Sequence, residues 1–504
     1  MRTIFMAATT AALLIPCAGI AQQSEVEQAV ATITQDDFNW RVGVIAHDSM
    51  QGRNTPSTGL DKTAEWLASE FLRMGLRGGM ADGGFIQRYP LRSTVVDAAS
   101  SFTGGDVPLM MGRDLVPARV SSGTEVRGDM VLLHGSADVD AALDDVDLAG
   151  KHLVYVLPDG VAGPARNLFG ALLSSGAASV SWTNGGAVDA WDRATAAAAR
   201  PAVRKGWGDT GAGPAGVAPM LQIRRSALAR ALTSRGVDLA TVVTSGRAGT
   251  TPVPGGAFTL SLSVREETVT APNVVAVLDG SDPELKDEYV IFSGHMDHVG
   301  MGTPDENGDS IFNGADDDAS GTVAVVEVAE AMASLSEAPK RSMIFLIVSG
   351  EEKGLWGSEY YAENPSVEVD QMVANFNTDM VGRNWPDTIV AIGKEHSDLG
   401  ETMNRVNEAH PELRMTAIDD IWPEENFYFR SDHYNFARKG VPVLFFFNGT
   451  HDDYHGRDDE PDRIDGEKAA RIARLVFYLG IEVGNALERP RWNPESYARI
   501  VSDR

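Results

Sequence analysis

Ser-Met-Ile-Phe-Leu-Ile-Val-Ser-Gly-Glu-Glu-Lys-Gly-Leu-Trp-Gly-Ser occupies residues 342–358. Met343 to Val348 is apolar without alternation, the pattern of a strand at the centre of a sheet covered on both faces. The run stops at Ser349-Gly350, and two carboxylates, Glu351 and Glu352, follow at once. A pair of acids just beyond a central strand stands where sites assemble in open α/β sheets.

The same grammar extends in both directions from 270 onward. Val274 to Leu278, Tyr289 to Phe292, Met372 to Phe376 and Pro442 to Phe447 read as strands. Thr322 to Ala333 reads as a helix with Val323, Val326 and Ala329 on its apolar side, and another helix precedes Met372. Alternation of this kind predicts an α/β fold with a mostly parallel central sheet sandwiched by helices. Nearer the start, Trp66, Leu67, Phe71, Leu72 and Met74 follow Thr58-Gly59 at helical spacing, predicting an amphipathic helix over about 60–74 that Gly75 stops.

A length of 504 residues exceeds one ordinary core and predicts two domains. Residues 105–260 differ in texture, with short strands (Met130 to Leu133, His152 to Leu157) among Ala- and Gly-rich helical pieces. Thr251-Pro252-Val253-Pro254-Gly255-Gly256 reads as a linker. The boundaries expected are therefore 22–104 and 261–504 for the two parts of the α/β domain and 105–260 for a smaller inserted one. His134 and His152 are isolated there and read as structural.

Residues 1–21 read as a secretory signal peptide: Arg2, an apolar stretch from Met6 to Ile15, and small residues before Gln22. That stretch is too short for a stable membrane anchor. Cys17 is the only cysteine, so cleavage after Ala21 leaves no disulfide. Export, to the periplasm or the medium, is expected. The net charge of −28 argues against nucleic-acid partners, whose phosphates it would repel.

Four further motifs accompany the glutamates: Gly-His-Met-Asp-His (294–298), Asn-Gly-Ala-Asp-Asp-Asp-Ala-Ser-Gly (313–321), Asn-Thr-Asp-Met-Val-Gly (377–382) and Tyr-His (454–455). Each falls at or just beyond the end of a strand-like run, or before a helix. Histidines with carboxylates are borderline-to-hard metal ligands. In their order these motifs make segment 270–475 resemble the zinc-dependent exopeptidases, the M28-like family of secreted bacterial double-zinc aminopeptidases and glutamate carboxypeptidases. The insert at 105–260 resembles their protease-associated domain, and His-Asp-Ser-Met-Gln-Gly-Arg (47–53) resembles their entry to the first helix.

The resemblance implies two Zn²⁺ per chain. His295 and Asp379 would hold one, Glu352 and His455 the other, and Asp317 would bridge them. Asp297 would stand behind His295 and fix its tautomer. Glu351 would be the general base, and Tyr454 would donate to the oxyanion. Two divalent cations and three carboxylates leave one positive charge, which a hydroxide neutralises, so the cluster tolerates burial. Cobalt and manganese can share such ligands.

Other polar groups read more plainly. His298 is surplus to the ligand count and reads as structural; Asp316 and Asp318 read as loop-shaping or N-cap groups. Ser431-Asp432-His433 are consecutive and cannot form a nucleophilic triad; the resemblance makes Asp432 a candidate to support the ligands. Asp305-Glu306-Asn307-Gly308-Asp309 lacks the closing glutamate of a calcium loop and reads as a surface turn. Asp452 to Asp465 reads as a solvated acidic turn.

Peptides are the expected substrates; no protein partner is legible. Residues 421–430 are the expected pocket wall, with Trp422 and Phe429, and offer both Glu424 and Glu425 for an ammonium and Arg430 for a carboxylate. The acidic excess and the exported relatives favour an aminopeptidase. A carboxypeptidase of the same fold, a one-zinc cyclase of N-terminal glutamine and a non-catalytic binding module stay open.

Overall fold

The computed structural model describes residues 25–501 apart from 105–106, 121, 162, 184–187, 199, 209–217 and 243–245. The expected signal peptide, 1–21, lies outside the described residues. The chain divides into two compact units, one comprising residues up to Tyr89 and from Thr270 on, the other Pro90–Val269.

In the first unit four strands run parallel in the order Ser342–Val348, Tyr289–His295, Met372–Asp379, Val443–Phe447. Residues 274–278 flank them antiparallel on one side, and Thr388–Ile392 does so on the other. All seven residues of Tyr289–His295 and of Ser342–Val348 are buried. This is what a two-faced sheet demands of its central strands.

Side chains alternate between faces. Phe376, Phe292, Phe345 and Phe71 form a run of ring contacts on one face, with centroids 5.4–6.3 Å apart. Phe71 comes from the helix Thr58–Arg73, close to the predicted span. The helices Gly321–Ala333 and Gly466–Asn485 pack together on this layer. On the opposite face Ile291, Ile344 and Leu346 share a core with Tyr361 and Phe436 from the helices Trp356–Glu363 and His433–Ala437.

Chain order fixes where a site can lie. From Tyr289–His295 the chain moves to Ser342–Val348 on one side, then to Met372–Asp379 on the other. This reversal opens a crevice beyond the carboxyl ends of the strands. His295 and Asp379 are the last residues of their strands, and Glu351 follows the third by three positions.

The second unit has its own cores. Met130–His134, His152–Tyr155, Ser179–Thr183 and Met220–Ile223 run parallel, and a separate sheet joins Ser101–Gly104, Phe258–Leu262 and Thr124–Gly128. The segment read as a linker lies inside this unit: Gly249–Pro252 is a strand on Met130–His134, and Val253 is buried. Its prolines are tolerated because it is an edge strand. His152 is fully buried between the Ser179 hydroxyl and the Phe258 carbonyl, a structural role. Among the described residues no helix is long and apolar enough to cross a membrane.

One charge cluster ties helices across the first unit. Arg41, 2% exposed, pairs with the fully buried Glu327 and with Glu330, which Arg73 also reaches. Burial pushes Glu327 up to about 7 despite the pull of Arg41. Removing one partner of such a pair strands the other charge. Arg41→Met is expected to destabilise the protein by about 3–5 kcal/mol, and adding Glu327→Leu is expected to recover part of the loss, both read from urea unfolding.

Candidate metal centre

Two groups of ligand atoms meet at this crevice and share one residue. His295, Asp317 and Asp379 form the first; Asp317, Glu352, His455 and His298 form the second, with the chosen atoms of each within 4.8 Å of one another. Asp317 turns one oxygen to each. Its Oδ1 lies 3.5 Å from His295 Nε2, and its Oδ2 lies 3.1 Å from His455 Nε2. His295 Nε2 is 3.6 Å from Asp379 Oδ1, and His455 Nε2 is 3.1 Å from Glu352 Oε1. The five ligand residues expected from the sequence therefore stand together.

Glu351 and Glu352 separate because a tight turn, Glu351–Lys353, begins at Gly350. Glu352 enters the second ligand group, whereas Glu351 faces the small cavity that His295, Asp317, Asp379 and Tyr454 also line. Burial raises the Glu351 carboxyl well above its usual range. Tyr454 stacks on His455, ring centroids 4.0 Å apart; burial and the surrounding carboxylates raise its hydroxyl, so it keeps its proton.

Asp297 faces His295 with both its carbonyl and its carboxylate. His295 Nδ1 lies 3.2 Å from the backbone carbonyl of Asp297 and 3.7 Å from its carboxylate. A proton on Nδ1 donated to that carbonyl leaves Nε2 free to ligate. The carboxylate instead accepts the Glu351 amide at 3.2 Å and the Thr55 hydroxyl at 3.0 Å.

Other buried acids clasp backbone in the same way. Asp318 accepts the amides of His295, Gly321 and Met380 at 2.9–3.1 Å, which ties two ligand-bearing strand ends to a helix start. Gly321 permits this, since a Cβ there would fall 2.2 Å from Asp318 Oδ1 and 2.3 Å from the Thr378 carbonyl. Asp316 accepts the Gly382 amide and the Ser320 hydroxyl. Ser431 donates to Asp379 Oδ2 at 2.9 Å, and His433 instead faces the Tyr428 carbonyl at 2.8 Å. Burial lowers His433 to about 3, so it stays neutral. Asp432 is fully buried and pushed up to about 7 by that burial.

Three participants escaped the sequence reading. His298 was set aside as structural, yet its Nδ1 lies 3.0 Å from Glu352 Oε1 and 3.6 Å from Asp317 Oδ2. Asp459 belongs to the stretch read as a solvated turn, yet it is fully buried and accepts the amides of Asp316 and Asp317. No local signal distinguishes it from its exposed neighbours. Arg53, quoted only within a resemblance, is fully buried and donates to the carbonyls of Ile45, Met296, Asn313 and Gly314 at 2.6–3.0 Å.

The residues fit a metal pair. His298 Nδ1, Asp317 Oδ2 and Glu352 Oε1 are buried without a hydrogen-bond partner among the described residues. Such atoms are costly unless a cation meets them. Burial opposes charge at His295, but Asp318 and Asp379 outweigh it, so the place favours positive charge. Imidazole with carboxylate suits Zn²⁺.

The pocket wall is aromatic. Phe427, Phe445 and Phe447 line the cavity, and Arg430 stands over the Phe427 ring at 4.9 Å. Of the expected wall, Phe429 is 40% exposed and Trp422 packs behind Phe427 and Phe447. A wider groove lined by Arg405, His410 and Tyr478 carries none of the ligands.

Residues 273–480 match the model of peptidase family M28. A probable zinc metalloprotease of Pyricularia oryzae is 28% identical over 241 residues, 42% of this chain and 47% of that protein. One from Pyrenophora tritici-repentis is 38% identical over 122 residues, 24% of this chain and 23% of that protein. The chain thus spans at most about half the length of these curated relatives. Among solved structures, an aminopeptidase from Aneurinibacillus sp. strain AM-1 superposes with a TM-score of 0.52 at 19% identity, covering 90% of this chain and 95% of that one. A zinc aminopeptidase from Bacillus subtilis gives 0.54 at 16% identity, covering 89% and 95%. At such identities the likeness is one of fold.

Arg53 reaches the loops that present His295 and Asp317, so its loss takes the side-chain donor from four carbonyls, of which, among the described residues, Gly314 alone keeps an amide, that of Ala319. Arg53→Met is expected to cost more than about 3 kcal/mol, and the loss should persist in chelator, because it lies in the protein and not in the metal. Urea unfolding with and without chelator measures both.

Proposed function

We propose that this chain, a zinc metallopeptidase of family M28 over residues 273–480, is an exported two-zinc aminopeptidase that removes N-terminal residues from peptides. The observation that carries the reading is Asp317, whose two oxygens face two separate ligand groups beside Glu351. Export rests on the composition of residues 1–21. By the resemblance of residues 105–260 to a protease-associated domain, the unit Pro90–Val269 that contains them is proposed as that insert.

A bound zinc pair would supply polarisation of the scissile carbonyl and a water of lowered pKa. His295, Asp317 and Asp379 would hold one ion, and Asp317, Glu352 and His455 the other. Glu351 takes the proton from the attacking water and returns one to the leaving amine. Glu351 lines the cavity beside His295, Asp317 and Asp379, where it can accept and then release that proton. Tyr454 lines the same cavity with its proton in place and donates to the developing oxyanion. The Ser431 hydroxyl and the Asp297 carbonyl orient Asp379 and His295, which keeps the ligands pre-organised. Phe427, Phe445 and Phe447 would receive an apolar side chain.

One observation favours a carboxypeptidase instead: Arg430 lines the cavity, and Glu424 and Glu425 do not. A panel of aminoacyl-anilides with free N-termini, set beside N-blocked peptides with free C-termini, separates the two. Chelator-sensitive cleavage of the anilides alone is expected. Cleavage of the blocked peptides alone would reverse the assignment.

Glu351→Gln is expected to keep fold and zinc content while kcat falls by about 10²–10⁴-fold. Activity near the parent level would remove Glu351 from the base role.

A further inference from the structure

His298 belongs to no ligand set that the sequence suggested, yet it sits among the candidate ligands. It is fully buried, and neither ring nitrogen has a hydrogen-bond partner among the described residues. Its Nδ1 comes to 3.0 Å from Glu352 Oε1 without hydrogen-bond geometry, and that oxygen too is buried and unpartnered. The ring is held in place: Gly314 sits against it so closely that a Cβ would fall 2.5 Å from His298 Cγ.

The four ligand atoms of this group lie close enough together to meet on one ion. Two ligand atoms on one tetrahedral zinc, each about 2.0–2.2 Å from the ion, lie about 3.3–3.6 Å apart. The separations around Glu352 Oε1 and Asp317 Oδ2 are 3.0, 3.1, 3.1 and 3.6 Å, the last within that range and the other three shorter, so the four groups converge on one point. A lone imidazole among carboxylates, with no donor or acceptor elsewhere, loses its hydration without compensation. A cation at Nδ1 supplies that compensation.

We propose that His298 is a fourth protein ligand, joining Asp317, Glu352 and His455 on one metal. The inference rests on the two-metal reading above. It makes the centre asymmetric. The position of His298 is closed by four protein groups, as in structural zinc sites, while the His295, Asp317 and Asp379 position has three and keeps a place for water, as in catalytic ones. The open position is then the one that exchanges metal and meets substrate.

The test is an anomalous-scattering crystal structure of the zinc-loaded full chain, with zinc titration calorimetry of the parent and of His298→Gln. Nδ1 of His298 within about 2.3 Å of an ion and loss of more than about 100-fold in one zinc affinity, beyond what a supporting residue contributes, are expected. Two ions with His298 Nδ1 farther than that from both overturn the assignment and leave the two-metal reading standing. A single ion per chain overturns both. The parent crystal decides the matter if the variant does not fold.

Discussion

The centre depends on carboxylates that accept backbone amides in a buried place. Asp297, Asp316, Asp318 and Asp459 are all fully buried, and each takes at least one N–H from a loop that carries a metal ligand or the base. Charge-assisted hydrogen bonds of this kind are shorter and stronger than neutral ones. They hold strand ends, a helix start and the loops between them. Asp318 alone fastens the end of one strand, the residue after another and the start of a helix.

The same arrangement concentrates negative charge where water is scarce. Few positive groups answer it from the protein. Arg53 is fully buried nearby, but its donors go to four carbonyls and not to the acids. The ligand oxygens Asp317 Oδ2 and Glu352 Oε1 are left bare. A site built this way favours divalent cations, since burial raises the cost of every unpaired charge. Organisation of the ligands by the acids behind them and demand for metal thus have one source.

The parallel sheet contributes position. Strand ends are fixed in register with one another, so His295 opposite Val348 and Asp379 opposite Phe447 share one edge. The change of direction in strand order opens space beyond that edge. Aromatic residues of the neighbouring strand, Phe445 and Phe447, then wall the cavity. His295 and Asp379 end strands, and Phe427 and Arg430 of segment 421–430 complete the wall.

Much of this was written in the chain. The apolar run Met343 to Val348 identified a central strand, because only a strand covered on both faces has no polar alternation. The motifs around His295, Asp317, Glu351, Asp379 and His455 carried their own signal, since ligand types recur at strand ends. What sequence could not carry was the third dimension between distant segments. Asp459 meets Asp316 across 143 positions and Arg53 meets Asn313 across 260, with nothing local to mark either. His298 looked surplus because ligands are counted by motif, whereas the atoms that converge on Glu352 include its Nδ1. Periodicity and residue type are local properties and determined the elements and the chemistry on offer; burial and the meeting of buried polar atoms are properties of the packed chain, and only the tertiary structure decided them.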